Sequence, residues 1–330
     1  MDSLRFGIIG CSRIAKRSVI PAILKSEFAE LQMIGSRSID RAKEFSSEFN
    51  CKNYGTYEDV ISDESVDAVY ISTPIGTHEE WAIKAANAGK HIHCEKSSTT
   101  SFESAKKMIE NSKQNNVRIM EGFMFRFHPQ HQKVRELINN KKIGNIDSFN
   151  GSFGFPSFPE GDIRYNKELG GGFLNDSGCY PICASRMIFD EEPISVGCTL
   201  RYNQADNPVD VNGTSILIYG NNKNASIVFG NGNYYQAKYE VWGTDGVISA
   251  DRAYSLPPDF STKINLQYNT ENNWEGRRND TFQIQPKDSF IVYFEEEYVD
   301  MLEASRQYQN NIEVISTIKA LMLKTANLGK

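Results

Sequence analysis

The chain has 330 residues, of which 39% are hydrophobic and 24% charged, and its formal net charge is -6. This composition is typical of a globular protein with about two domains, and the negative charge argues against binding to nucleic acid, which needs a basic patch. No apolar run approaches the roughly 20 residues that span a bilayer, and the first residues lack a signal-peptide pattern. We therefore expect a cytoplasmic protein that does not bind membranes.

The cysteines are scattered and form no Cys-x-x-Cys pair, so the sequence predicts neither a metal site nor a disulfide framework. We expect all six to be buried or nearly buried thiols: Cys11, Cys51, Cys94, Cys179, Cys183 and Cys198.

Residues 1–122 alternate short apolar runs with amphipathic segments, which is typical of parallel strands joined by helices. The segments between the strands, such as RAKEFSSEF and ESAKKMIENSK, have helical periodicity. We predict a doubly wound α/β domain of the Rossmann type whose strands are LRFGIIG, LQMIGS, VDAVYIS, KHIHCE and VRIM.

Residues 123–330 have a different pattern and predict a second, α+β domain. A helix is expected in HPQHQKVRELINNKKIG, closed by Gly144, and a closing helix from Phe294 to Leu328. Between Ile146 and Gln285, runs with a period of two residues predict a large antiparallel sheet. They are SVGCTLRY, TSILIYG, ASIVFG, YYQAKYEVWG and GVISA.

The segment GIIGCSRIA follows the first strand and opens a helix, as in a dinucleotide-binding loop. Gly10, Ser12 and Ala15 occupy the three glycine positions of that fingerprint, and Arg13 and Ile14 lie in the same loop. Serine adds a side chain where space is short, but its hydroxyl could donate to a phosphate oxygen. The alternative is an ordinary strand-turn-helix connection.

Ser36 and Arg37 end the second strand, where enzymes that use NAD usually have an acid for the ribose 2′-hydroxyl. A hydroxyl followed by a guanidinium suits a 2′-phosphate instead. The pair therefore predicts NADP(H), and the alternative is that Arg37 is a solvated loop residue.

Two further segments follow strands at the same edge of the predicted sheet, where open parallel sheets bind ligands. ISTPIGTH supplies Thr73, Pro74 and His78, although an ordinary helix residue is the more frequent role for such a histidine. KHIHCEKSS supplies Glu95 and Lys96. Lys96 could lower the pKa of a neighbouring acid, and the alternative for the Glu-Lys pair is a surface ion pair.

The stretch GGGFLNDSGCYP places three glycines before Asp176 and Tyr180. We expect the glycines to form a turn that leaves room for a substrate and directs both side chains into a cleft. Tyrosine has a pKa near 10 and needs a nearby cation to act as a general acid at neutral pH. Lys96 could be that cation.

These motifs resemble the glucose-fructose oxidoreductase and inositol dehydrogenase (Gfo/Idh/MocA) superfamily over essentially the whole chain. The resemblance rests on GIIGCSRIA, on ISTPIGTHEEWAIKAANAGKHIHCEK, on EGFMFRFHPQH and on GGGFLNDSGCYP. It implies an N-terminal Rossmann domain and a C-terminal domain with a large open antiparallel sheet. FPEGDIRYNKELGGG and YEVWGTDGVISADRAYSLPP look most like the nucleotide-hexose 3-ketoreductases of deoxysugar biosynthesis.

That likeness implies hydride transfer from NADPH to the C3 ketone of a nucleotide-linked sugar, with Tyr180 as proton donor and Lys96 beside it. Asp176 would bind the sugar. Arg164 is a candidate for the substrate phosphates, with a salt bridge as the alternative. Ser97 stands where the family usually has proline, which leaves the placement of Lys96 open.

Two other functions fit the same residues. One is an NADP-linked dehydrogenase of a free aldose or cyclic diol, and the other is a non-catalytic sensor that binds NADP. Because TSILIYG and ASIVFG carry apolar residues on both faces, we expect the open sheet to be covered in a homodimer or homotetramer.

Overall fold

The computed structural model describes residues 3–270 and 276–294. These residues divide into two units. One comprises residues 3–123, 168–170 and 290–294, and the other comprises 124–167, 171–270 and 276–289. The helix predicted from Phe294 to Leu328 lies outside the described residues except for Phe294 itself. None of the described helices is long and apolar enough to cross a bilayer.

The first unit contains a parallel sheet in the order β3-β2-β1-β4-β5-β6, which is the order of dinucleotide-binding folds. Its strands are β1 (Leu4–Ile9), β2 (Ala29–Gly35), β3 (Asn53–Gly55), β4 (Ala68–Ile71), β5 (His91–Glu95) and β6 (Ile119–Gly122). Its helices are α1 (Ile20–Lys25), α2 (Ile39–Glu48), α3 (Tyr57–Ser62), α4 (His78–Asn87) and α5 (Phe102–Gln114).

All five predicted strands of this unit are present, and the predicted parallel arrangement is confirmed. The central strands are almost completely buried, as expected for a sheet with helices on both faces. The helix expected to open after GIIGCSRIA is present and ends in α1. The sequence analysis missed β3 and α3, which have three and six residues and are too short for a periodic pattern to be visible.

The second unit contains an eight-stranded sheet in the order β14-β13-β12-β11-β7-β10-β9-β8. Its strands are β7 (Ile146–Phe155), β8 (Ser195–Tyr202), β9 (Asp210–Ile218), β10 (Asn224–Asn231), β11 (Gln236–Gly243), β12 (Gly246–Ala250), β13 (Thr262–Asn269) and β14 (Arg277–Ile284). Two helices, α6 (Pro129–Asn139) and α7 (Cys179–Phe189), belong to this unit.

The predicted antiparallel sheet is confirmed with one exception, because β10 pairs with β7 in parallel. The helix predicted up to Gly144 ends earlier, at Asn139. Gly144 instead has a φ of +71° in the turn that leads to β7, a conformation that glycine adopts readily.

One face of the eight-stranded sheet forms the core of this unit. Phe149, Ile227 and Val241 are fully buried, and α7 packs against β7. His131 ties α6 to the sheet, since its ring nitrogens lie 2.9 Å from the Tyr239 hydroxyl and 2.9 Å from the Ala253 carbonyl oxygen. The opposite face is exposed.

Candidate active site

The predicted cofactor residues lie at one edge of the parallel sheet. Gly10 follows β1, Ser36 follows β2, Thr73 follows β4, and Lys96 follows β5. These four strands are neighbours in the order β2-β1-β4-β5. Open parallel sheets bind their ligands at this carboxyl edge.

The loop after β1 makes the close turn that the sequence predicts. Gly10 has a φ of +110°, and a Cβ there would lie 3.1 Å from the Ser72 carbonyl carbon and oxygen. The Ser12 hydroxyl donates to the Ser72 hydroxyl at 2.9 Å and accepts from the Ala15 amide at 3.1 Å. The Ser12 hydroxyl therefore bonds to protein groups at the start of the following helix. Of the other two predicted residues of this loop, Arg13 is exposed and Ile14 is half-buried.

At the end of β2, Ser36 is buried and Arg37 is exposed. The Ser36 hydroxyl accepts from the Ser38 amide at 3.3 Å. Arg37 has no ion pair with any residue in the described ranges 3–270 and 276–294. Arg41, in the first turn of α2, donates to the Cys11 carbonyl oxygen at 2.9 Å and so places a second guanidinium beside the cofactor loop.

His78 connects two loops of this edge. Its Nε2 lies 2.7 Å from the Thr73 carbonyl oxygen and its Nδ1 lies 3.1 Å from the Ser97 carbonyl oxygen. Burial lowers the pKa of His78 and favours the neutral ring, which has one N–H to donate to one of these two carbonyl oxygens. Because both ring nitrogens face main-chain groups, we expect His78 to act on a cofactor indirectly, through the loops that carry Thr73, Pro74 and Ser97.

Glu95 and Lys96 end β5. The Tyr70 hydroxyl donates to Glu95 Oε1 at 2.7 Å. Burial raises the pKa of Glu95 to about 6, while the Tyr70 hydrogen bond and the Lys96 charge act in the opposite direction. The peptide bond between Lys96 and Ser97 is cis. A carboxyl group with a raised pKa thus lies next to the predicted catalytic lysine.

Tyr180 lies in the second unit, in the first turn of α7. Its ring centroid is 4.9 Å from that of Phe153, 5.7 Å from that of Phe125 and 5.8 Å from that of Tyr254. Three aromatic rings therefore surround the side chain and restrict its orientation.

Asp176 lies one turn before Tyr180, in a π-helical turn from Leu174 to Gly178. Its Oδ2 accepts from Arg164 Nε at 2.7 Å. Arg164 also donates to Asp162 Oδ1 at 3.0 Å, and its guanidinium lies 4.2 Å from the Phe158 ring centroid. The structure therefore favours the salt-bridge alternative for Arg164, since two carboxylates share its charge.

The structure explains the three glycines before Asp176 differently from the sequence-based expectation. A Cβ on Gly171 would lie 2.5 Å from the Arg164 carbonyl oxygen, and one on Gly172 would lie 2.4 Å from Asp210 Oδ1. Gly170 has a φ of +80°, and its Cβ would meet the Gly76 amide at 2.6 Å. The space beside the glycines is filled by the protein itself, so the expectation that they leave room for a substrate is wrong.

The sequence analysis missed three residues of the site: Tyr70, which bonds to Glu95; Arg41, beside the cofactor loop; and Asp210. Asp210 Oδ2 accepts from the Leu174 amide at 2.5 Å and so caps the segment that carries Asp176 and Tyr180. The sequence did contain a signal for Arg41, because it is a second arginine only four positions after Arg37. Within the described ranges, no group of His, Cys, Asp and Glu is arranged to hold a metal ion.

Comparison with protein families agrees with this fold. Residues 4–123 match the model of the oxidoreductase family with an NAD-binding Rossmann fold, and residues 131–249 match the GFO/IDH/MocA C-terminal domain. Residues 292–328, nearly all of them outside the described ranges, match the model of the flagellar basal body rod FlgEFG protein C-terminal segment. The chain belongs to the Gfo/Idh/MocA family of oxidoreductases.

Characterised relatives cover most of the chain. A dTDP-3,4-didehydro-2,6-dideoxy-alpha-D-glucose 3-reductase of Actinomadura kijaniata is 35% identical over 81% of this chain and 80% of the relative. The D-xylose 1-dehydrogenase (NADP(+)) 2 of Haloferax volcanii is 34% identical over 79% of this chain and 80% of the relative. Both are similar to this chain, and they act on different kinds of sugar.

Among solved structures, the 3-ketoreductase KijD10 of Actinomadura kijaniata in complex with NADP and TDP-benzene is similar with a TM-score of 0.90. The two chains are 30% identical, and the match covers 98% of each. KijD10 has also been solved with one tyrosine replaced by phenylalanine, and with one lysine replaced by alanine or by glutamate.

We expect Arg164→Met to lower the free energy of unfolding by about 1–3 kcal/mol, because Asp162 and Asp176 would lose their shared guanidinium. Urea denaturation measures the change. The matched control is Arg135→Met, which removes an exposed guanidinium on α6 and should change stability by less than about 0.5 kcal/mol. Equal losses in the two variants would show that the Arg164 ion pairs do not stabilise the site.

Proposed function

We propose that this protein is an NADPH-dependent ketoreductase that reduces the C3 ketone of a nucleotide-linked keto-deoxysugar. Residues 1–122 would bind the cofactor and residues 123–330 the substrate. The observation that supports this most directly is the pair Lys96 and Tyr180. They are separated along the chain by the same number of residues as the lysine and tyrosine that were replaced in KijD10.

The residues at the sheet edge fit NADP(H). Gly10 brings the main chain of β1 into a close turn, and the helix that follows offers its amino-terminal end to a diphosphate. Arg37 is exposed and has no ion pair in the described part of the chain, so no carboxylate there competes with a 2′-phosphate for its guanidinium. Arg41 adds positive charge beside the same loop.

NADPH, when bound, supplies the hydride that reduces the ketone carbon. Tyr180 donates the proton that converts the ketone oxygen to a hydroxyl, and the rings of Phe125, Phe153 and Tyr254 hold it in position. The charge of Lys96 stabilises the tyrosinate that remains. Asp176, oriented by Arg164, accepts a hydrogen bond from a sugar hydroxyl.

The second candidate function is an NADP-linked dehydrogenase of a free aldose or a cyclic diol. The similarity to the Haloferax volcanii D-xylose 1-dehydrogenase favours it, and the same Lys96 and Tyr180 would work in the oxidative direction. Reduction of a dTDP-linked 3-keto sugar with NADPH, compared with oxidation of xylose and trans-dihydrodiols with NADP, separates the two functions. Turnover of only the free sugar or diol would exclude the ketoreductase.

We expect Arg37→Ala to weaken NADPH binding about 10- to 100-fold, because a charged hydrogen bond to phosphate contributes about 1.5–3 kcal/mol. NADH lacks the 2′-phosphate, so its affinity should stay the same and serves as the control. Fluorescence titration with each cofactor gives both dissociation constants. An equal loss for NADH and NADPH would mean that Arg37 does not contact the 2′-phosphate.

We expect Tyr180→Phe to lower kcat about 10²-fold, because the ring remains while the donated proton is lost. Lys96→Met should lower kcat by at least as much, because a tyrosine without a nearby cation keeps a pKa near 10 and gives up its proton less readily. Steady-state rates measure kcat, and NADPH titration of each variant checks that the cofactor still binds. A Tyr180→Phe enzyme with unchanged kcat would exclude Tyr180 as the proton donor.

We also propose that the enzyme acts in the cytoplasm as a homodimer or homotetramer, assembled through the exposed face of the eight-stranded sheet. Apolar side chains on this face include Ile216 on β9, Val228 on β10 and Trp242 on β11, each about half exposed. The neighbouring residues along these strands face the core. A second copy of the chain would remove these side chains from water.

Light scattering should give the mass of two or four chains for the wild-type protein. Ile216→Lys combined with Val228→Lys should shift this mass toward one chain, because charges would be buried at the interface. Leu24→Lys, at an exposed apolar residue of the first unit, is the control. A wild-type protein with the mass of one chain would contradict the proposal.

A further inference from the structure

Arg252 follows β12 in the second unit and lies between two aromatic rings. The carbon of its guanidinium is 4.5 Å from the Tyr235 ring centroid and 5.5 Å from that of Phe260. Its Nε donates to the Ser255 carbonyl oxygen at 3.0 Å. These contacts restrict the position of the guanidinium.

Among the described residues, 3–270 and 276–294, no carboxylate lies within ion-pair distance of Arg252. The carboxylate of the preceding residue, Asp251, accepts from Asn265 Nδ2 at 3.3 Å. Arg252 therefore differs from Arg164, whose guanidinium bonds to two carboxylates.

Arg252 lies at the same end of the sheet as the predicted catalytic tyrosine. Tyr235 directly precedes β11, whose first residue pairs with Gly154 near the end of β7. The Tyr235 ring is 6.5 Å from the Phe153 ring, which in turn contacts Tyr180 at 4.9 Å. Two ring contacts thus lead from Tyr180 through Phe153 to Tyr235, one of the two rings beside Arg252.

The surface beside this guanidinium is aromatic and accessible. Phe260 is 41% exposed and contacts Arg252. The Phe260 amide donates to the Pro257 carbonyl oxygen at 3.1 Å, which closes a turn that holds the ring. A guanidinium without an ion pair binds phosphate oxygens in two parallel hydrogen bonds, and an exposed aromatic ring stacks on a nucleobase.

From this arrangement we infer that Arg252 and Phe260 form the nucleotide subsite. Arg252 binds the diphosphate of a nucleoside diphosphate sugar, and the ring of Phe260 stacks on its base. This inference rests on the proposed function, because it assumes that the substrate sugar carries a nucleotide. It assigns the diphosphate to Arg252 in place of Arg164.

Calorimetric titration of the NADPH-saturated protein with dTDP, and separately with UDP, tests the inference. For whichever diphosphate the wild-type protein binds, Arg252→Gln should weaken binding about 10- to 100-fold, and Arg252→Lys should weaken it less. The control is Arg135→Gln, which removes an exposed guanidinium on α6 and should bind like the wild type. Unchanged NADPH affinity in each variant shows that the protein remains folded.

Competition by inorganic pyrophosphate distinguishes the proposed role of Arg252 from that of Phe260. Its competition with dTDP should be lost in Arg252→Gln and retained in Phe260→Ala, although both variants bind dTDP more weakly. If the wild type binds a diphosphate and Arg252→Gln binds it equally well, the subsite is wrong and the proposed function stands. If the wild type binds neither dTDP nor UDP, the nucleotide-linked substrate itself is wrong, and the subsite with it.

Discussion

The parallel pairing of four neighbouring strands determines where cofactor chemistry can take place in this protein. Ile9 at the end of β1 lies opposite Gly35 on β2 and Ile71 on β4, and Ile71 lies opposite Cys94 on β5. The strands therefore end at nearly the same level, and their following loops begin side by side. Residues distant in the sequence become neighbours without any contact that is specific to the cofactor.

A second constraint acts on the segment that carries Asp176 and Tyr180. Carbonyl oxygens of the preceding loop fill the space beside Gly171, and Asp210 fills the space beside Gly172. Asp210 also accepts from the Leu174 amide, which begins the π-helical turn. Because this turn runs directly into α7, the orientation of the tyrosine depends on backbone packing that no side chain larger than glycine would permit.

Most of the fold could be predicted from the sequence because its signals are local. Buried parallel strands appear as apolar runs, and half-exposed strands alternate. The parallel pair β7 and β10 could not be predicted, since strand order depends on contacts between distant segments. The role of each site residue was harder to predict for the same reason. Nothing near Ser12 in the sequence shows that its hydroxyl bonds to Ser72.

Arg164 and Arg252 illustrate why residue type and position in the sequence do not settle a role. Arg164 lies in the motif that resembles sugar-nucleotide enzymes, yet Asp162 and Asp176 share its charge. A guanidinium that already bonds to two carboxylates gains little from an added phosphate, because bringing an anion near would also repel those carboxylates. Arg252 has two aromatic neighbours, and no carboxylate in the described part of the chain pairs with it. Its positive charge is therefore available to an anionic ligand, whereas that of Arg164 orients Asp176, the acid predicted to bind the sugar.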